Sequence, residues 1–210
     1  MSHSTGVSPY HLAAVVLAGV YMLAIVKEWQ ILKYALKPTV TLLIAAPTSK
    51  PSSRGIFRGL LLSTLGDIFL ILPQEEMFLP GLLSFLAAHL LYAKEFGANA
   101  KSHGQNRRVS WAAVPYGVFA STMVAVLVPG ADNEGAVVQA GVVVYAVAIA
   151  VMAYRATLTG RSWAVLGTIL FCVSDAILAC DRFLQQHAWS ELAVMSTYYA
   201  AQLCIALAYV

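Results

Sequence analysis

Charge is what this sequence has least of. Only 11% of its 210 residues are Asp, Glu, Lys or Arg, against about 25% in soluble domains. With 60% hydrophobic residues and a mean hydropathy of +0.73, the chain lacks the polar surface that a globule in water requires. An ordinary soluble domain is thereby excluded, and the natural unit becomes a helix of about 20 residues crossing a bilayer. The net charge of +3 is small, and no nucleic-acid partner is expected. Cysteine is equally scarce: Cys172, Cys180 and Cys204 all fall in apolar runs, with no Cys-x-x-Cys pair. Neither a disulfide framework nor a zinc site is suggested. The opening "MSHSTGVSPY" has no basic n-region and no clear cleavage site, so no signal peptide is expected. The first apolar run is expected to stay as a membrane anchor.

What the sequence does have is eight apolar runs, at about 10–26, 31–46, 55–72, 79–97, 110–128, 136–154, 162–180 and 190–210. Short connections rich in Pro, Gly, Ser and charge separate them, such as "APTSKPSSRG" and "GANAKSHGQNRR". No connection is long enough to act as a linker between domains. The expected fold is an all-α integral membrane protein, one multi-pass domain over residues 1–210 with eight transmembrane helices.

The loops then choose a side. Lys50, Arg54, Arg58, Lys94, Lys101, Arg107, Arg108, Arg155 and Arg161 fall at one end of an eight-span bundle, and Lys27, Lys33 and Arg182 at the other. The positive-inside rule puts both termini in the cytoplasm.

Three charged residues lie inside the runs: Lys37, Asp67 and Asp175. A carboxylate in the bilayer costs roughly 2.5–3.5 kcal/mol to insert on translocon scales. At a rise of about 1.5 Å per residue, all three sit about 8–9 Å below the outer surface. They are expected to face one another inside the bundle. The segments "LGDIFLI" and "VSDAILA" around the aspartates are alike, and each opens a two-helix unit. Two parallel four-helix repeats would set Asp67 and Asp175 as counterparts across a shared pocket.

Neighbouring runs offer polar company. Phe85, His89, Tyr92 and Phe96 form one helical stripe, and Tyr198, Tyr199 and Gln202 gather on the last run. Ser63 stands one turn before Asp67, and Thr41 one turn after Lys37. Such residues commonly serve as interhelical glue, and a lone His is more often a core residue than a catalyst. The charged trio could itself be a structural ion pair. Two carboxylates with one lysine leave a surplus acid, however. In a low-dielectric site two nearby carboxylates do not both ionise easily, so one keeps its proton while Lys37 holds the other as carboxylate. The pair is then a general acid and a general base.

The segments "LKPTVTLLIAAP", "STLGDIFLILPQEEMFLPGLLSFLAAHLLYAKEF", "FCVSDAILACDRF" and "MSTYYAAQLCIALA" resemble the lysoplasmalogenase (YhhN-like) family, with the animal members nearest. The likeness runs from about residue 34 to the C-terminus and leaves out the first thirty residues or so. It implies hydrolysis of the vinyl ether bond of lysoplasmalogens to a fatty aldehyde and glycerophosphoethanolamine or glycerophosphocholine, with no metal or cofactor. A lysophospholipid substrate within membrane lipid and an endoplasmic reticulum location are implied with it. The family's polar positions fall on Lys37, Asp67, His89, Tyr92, Asp175, Tyr198, Tyr199 and Gln202. Vinyl ethers hydrolyse through an oxocarbenium ion, as glycosides do between two carboxylates. Asp175 is the expected acid and Asp67, near Lys37, the expected base. Lys37 could instead bind the substrate phosphate, while His89, Tyr92, Tyr198 and Gln202 would orient water or the glycerol hydroxyl.

The main rival is a proton-coupled transporter, which buried Asp and Lys residues and a parallel repeat suit equally well. An intramembrane aspartyl protease would want Gly-x-Gly-Asp, where this chain has Thr64-Leu65-Gly66-Asp67. A metal hydrolase of the alkaline ceramidase kind would need three histidines at membrane depth. His89 alone qualifies, since His3, His11, His103 and His187 are scattered at or near the ends of the runs.

Overall fold

A computed structural model describes residues 7–72, 75–102 and 111–210. The described residues form eight α-helices: α1 Pro9–Val26, α2 Gln30–Ala45, α3 Arg54–Ile71, α4 Phe78–Ser102, α5 Ala113–Gly130, α6 Ala136–Leu158, α7 Ser162–Phe183 and α8 Ser190–Leu207. Each coincides with one of the eight apolar runs. Arg107, Arg108, His3, His103 and the first residue of the fifth run lie outside the described residues.

Several helices outlast the runs because packing, rather than hydropathy, ends them. Helix α4 continues through Gly97 to Ser102, with Ala100 still buried. Helix α7 continues through Asp181 and Arg182 to Phe183, whose ring meets Phe78 edge-on at a centroid distance of 6.0 Å. Within α2, Pro38 follows Lys37 and removes the backbone bond that a residue there would give to Tyr34.

Among the described residues, α1, α5, α6 and α7 are each long and apolar enough to cross a membrane. The outer surface agrees: Leu12, Val16, Leu90, Val118, Val144 and Ile169 are exposed. An apolar surface of this extent has no place in water. The chain is an integral membrane protein.

Consecutive helices pack against each other, α4 and α5 excepted, most extensively α3 with α4 and α7 with α8. Helix α4 also lies on α6, and α8 closes against α1, α2 and α3. Small residues permit these approaches, with Ala150, Ala153 and Ala156 buried on α6. Two glycines set the tightest contacts beside the aspartates. A Cβ on Gly66 would lie 2.6 Å from the Phe85 ring, and one on Gly167 would lie 2.8 Å from the Ala201 carbonyl oxygen. At the centre, Phe85, Phe171 and Tyr198 meet edge to face at 5.6–6.4 Å, with His89 against Phe171 at 4.7 Å.

Candidate active site

Asp67 sits late in α3, directly after the glycine that lets Phe85 of α4 approach. It is 1% exposed. Its Oδ2 accepts hydrogen bonds from the Thr41 hydroxyl of α2 at 2.9 Å and the Tyr198 hydroxyl of α8 at 2.7 Å. Asp175 of α7 accepts one from the Tyr145 hydroxyl of α6 at 2.6 Å. His89 Nε2 of α4 lies 3.7 Å from the same carboxylate oxygen, too far for a hydrogen bond. Among the described residues, neither ring nitrogen of the buried His89 has a hydrogen-bond partner.

Both aspartates, Lys37 and Tyr198 line one cavity of about 380 Å³. The three charged residues expected to share a pocket therefore do so. Lys33, Asp181, Arg182 and Glu191 also line it. Lys33 pairs with Glu191 at 2.7 Å, and Arg182 with Glu134 at 2.9 Å.

Lys37 makes no direct ion pair with either aspartate among the described residues; it lies half-buried in the cavity wall, where its charge acts on Asp67 from beyond contact distance. Hydroxyl groups of Thr41 and Tyr198 make the direct contacts at Asp67. A hydroxyl satisfies a buried carboxylate oxygen without bringing in a second charge to desolvate.

The family model described as the YhhN family matches residues 30–209, from the start of α2 to just beyond α8. The chain belongs to the YhhN family. Lysoplasmalogenase TMEM86A of Bos taurus is 36% identical over 167 residues, covering 75% of this chain and 65% of that protein. Lysoplasmalogenase TMEM86B of Sus scrofa is 37% identical over 152 residues, covering 71% of this chain and 60% of that protein. Lysoplasmalogenase TMEM86A of Homo sapiens is 32% identical over 167 residues, again covering 75% and 65%. The chain thus spans less than two thirds of the length of these relatives. No solved structure matches.

Within this YhhN fold the other expected site residues divide. His89 stands beside Asp175, and Tyr198 holds Asp67. Tyr92 and Gln202 lie one turn behind them, joined to each other by a 2.9 Å hydrogen bond from the Tyr92 hydroxyl. The Tyr199 hydroxyl reaches the Lys37 carbonyl at 3.4 Å, and its ring meets Tyr21 of α1 rather than hydrogen-bonding an aspartate. Two residues gain a role. Thr41, weighed as glue, donates directly to Asp67. Tyr145 belonged to no motif, although it lies about 14 Å from the start of α6, a depth that matches the 12 Å or so from Asp175 to the end of α7.

Proposed function

We propose that the chain is a lysoplasmalogenase, hydrolysing the vinyl ether bond of alkenyl glycerophosphoethanolamine or glycerophosphocholine inside the membrane. The observation that carries this reading is the convergence of Asp67 and Asp175 on one cavity, from helices α3 and α7. The names of the relatives agree with it.

The chemistry requires one proton donor and one acceptor. Protonated Asp175 gives its proton to the vinyl carbon on the chain side, leaving a carboxylate and an oxocarbenium ion at the ether carbon. Water adds to that carbon, and its proton passes to Asp67. The hemiacetal hydroxyl then gives its proton to the Asp175 carboxylate while Asp67 passes its proton to the ether oxygen, the carbon–oxygen bond to glycerol breaks, and both aspartates return to their starting states. The products are an aldehyde and the glycerophospholipid alcohol, with water the net co-reactant. Tyr198 and Thr41 hold Asp67 in orientation, and Tyr145 does so for Asp175. Lys37, in the cavity wall without a direct ion pair among the described residues, is placed to meet the substrate phosphate. His89, 3.7 Å from Asp175 and with neither ring nitrogen hydrogen-bonded among the described residues, is the group assigned to orient water.

The same reading makes all eight helices spans of a single multi-pass domain in the endoplasmic reticulum membrane, with both termini cytoplasmic. It also makes α2–α3–α4 and α6–α7–α8 counterparts. In each triplet the middle helix carries the aspartate and the preceding helix donates a hydroxyl to it. The last helix of each triplet faces the other triplet's aspartate, Tyr198 at Asp67 and His89 at Asp175.

Aldehyde release from a lysoplasmalogen by purified protein in detergent tests the function, with folded Asp67→Asn and Asp175→Asn beside the wild type. Loss in both variants is expected. Full activity in either would overturn the two-carboxylate mechanism, and an inactive wild type the function itself. A transporter would need a sealed compartment to show any activity, and an enzyme does not.

A further inference from the structure

The cavity at the aspartates has a neighbour of opposite character. An apolar crevice of about 60 Å³ lies among α3, α4, α5, α6 and α7, and Asp175 is the one charged residue in its wall. The crevice and the polar cavity share Leu70, Phe78, Phe85, Leu178 and Asp175. Asp67 lines the polar cavity and not the crevice. Asp175 therefore stands at the seam between an apolar compartment and a charged one.

On the far side of that seam the crevice is walled by Met123 and Leu127 of α5 and by Val142, Ala146 and Ile149 of α6. Helix α5 is the least embedded of the eight, burying Leu127 alone.

We infer that this crevice receives the first few carbons of the substrate's hydrocarbon chain beyond the double bond, the head group lying in the charged cavity and the reacting double bond at Asp175. The inference rests on the lysoplasmalogenase reading and adds which end of the lipid goes where. A lysoplasmalogen has its vinyl ether at the junction of chain and head group, so an amphiphile spread across both compartments brings that bond to the seam. The reverse placement would put a phosphate against apolar walls, at the cost of an unpaired buried charge. Along the lipid the order is chain, protonated carbon, ether carbon, oxygen and glycerol. Asp175, on the chain side, is the acid that protonates carbon. Asp67, on the head-group side, is the base for water attacking the ether carbon. Ala146 keeps the crevice open by being small, and is the specificity-determining position for the chain.

Ala146→Phe tests this, with Met123→Trp as a second variant at a half-buried position should the first fail to fold. Each is assayed on two lysoplasmalogens with one head group, carrying a propenyl or an octadecenyl chain, of which only the second has carbons to fill the crevice. Competition by the saturated alkyl ethers of the same lengths, which cannot be cleaved in this way, reads binding apart from chemistry. The ratio of kcat/KM for the long chain over the short is expected to fall by about tenfold or more, with long-chain competition weakened in parallel. Disturbance of Asp175 through its neighbour Tyr145 would lower both substrates together and leave the ratio alone. An unchanged ratio in a folded variant, beside an active wild type, overturns the chain site and spares the function. A wild type inactive on both lipids overturns the function and the inference with it.

Discussion

Asp67 and Asp175 occupy corresponding places on α3 and α7, yet their surroundings differ. Asp67 is enclosed and takes two hydroxyl donors on a single oxygen. The Asp175 side chain is 14% exposed, takes one donor, and borders two compartments of opposite polarity. The two hairpins differ also in how tightly they close. Gly66 faces a phenyl ring, which can shift, whereas Gly167 faces the backbone of α8, which cannot shift without moving the helix. Similar local sequences have therefore been given unlike neighbours, and that difference suits the proposed division of an acid's task from a base's.

Several substitutions would break or sharpen that contrast. The largest effect is expected for Asp175→Asn and Asp67→Asn, each lowering kcat for aldehyde release about a hundredfold to ten-thousandfold. Equal residual activity in both would erase the division between them. Next come the hairpin glycines, read as the thermal midpoint in detergent. Gly167→Ala is expected to cost about 1–3 kcal/mol by overpacking, and Gly66→Ala less, because a ring yields more readily than a backbone carbonyl.

Smaller again are the tyrosines. Tyr145→Phe removes the hydroxyl donor of Asp175 and is expected to lower kcat by about tenfold, whereas Tyr198→Phe leaves Thr41 on Asp67 and should cost less. Adding Thr41→Val to Tyr198→Phe is then expected to lose more than the sum of the two single changes. The reverse order of the two tyrosines would show that Asp67 is the less securely held. Lys37→Gln is expected to raise KM with kcat nearly unchanged, the signature of lost uniform binding. The smallest effect belongs to the exposed pair of Arg182 with Glu134: Glu134→Gln should move the midpoint by no more than about 1 kcal/mol.

Much of this was legible in the chain itself. Eight apolar runs became eight helices, because hydropathy over a whole helix is a strong and local property. The shared depth of Lys37, Asp67 and Asp175 pointed to one cavity, because rise per residue converts sequence position into height. The stripe Phe85, His89, Tyr92 and Phe96 became the buried face of α4 for the same reason. Partners were harder. Height along a helix says nothing of which way a side chain is turned, so the sequence marks neither the direct hydroxyl contacts on Asp67 nor Tyr145, which stands in an ordinary valine-rich run.

By itself, then, the sequence determined that the chain enters a membrane, how many helices it forms, and that two carboxylates lie at one depth within them. All of these follow from periodicity and from the cost of burying charge. Only the tertiary structure decided that Tyr198 serves Asp67 while Tyr145 serves Asp175, and that of the two aspartates Asp175 is the one bordering both the polar cavity and the apolar crevice. Those depend on the rotation and neighbour of each helix, which packing across distant stretches of the chain sets and no local pattern encodes.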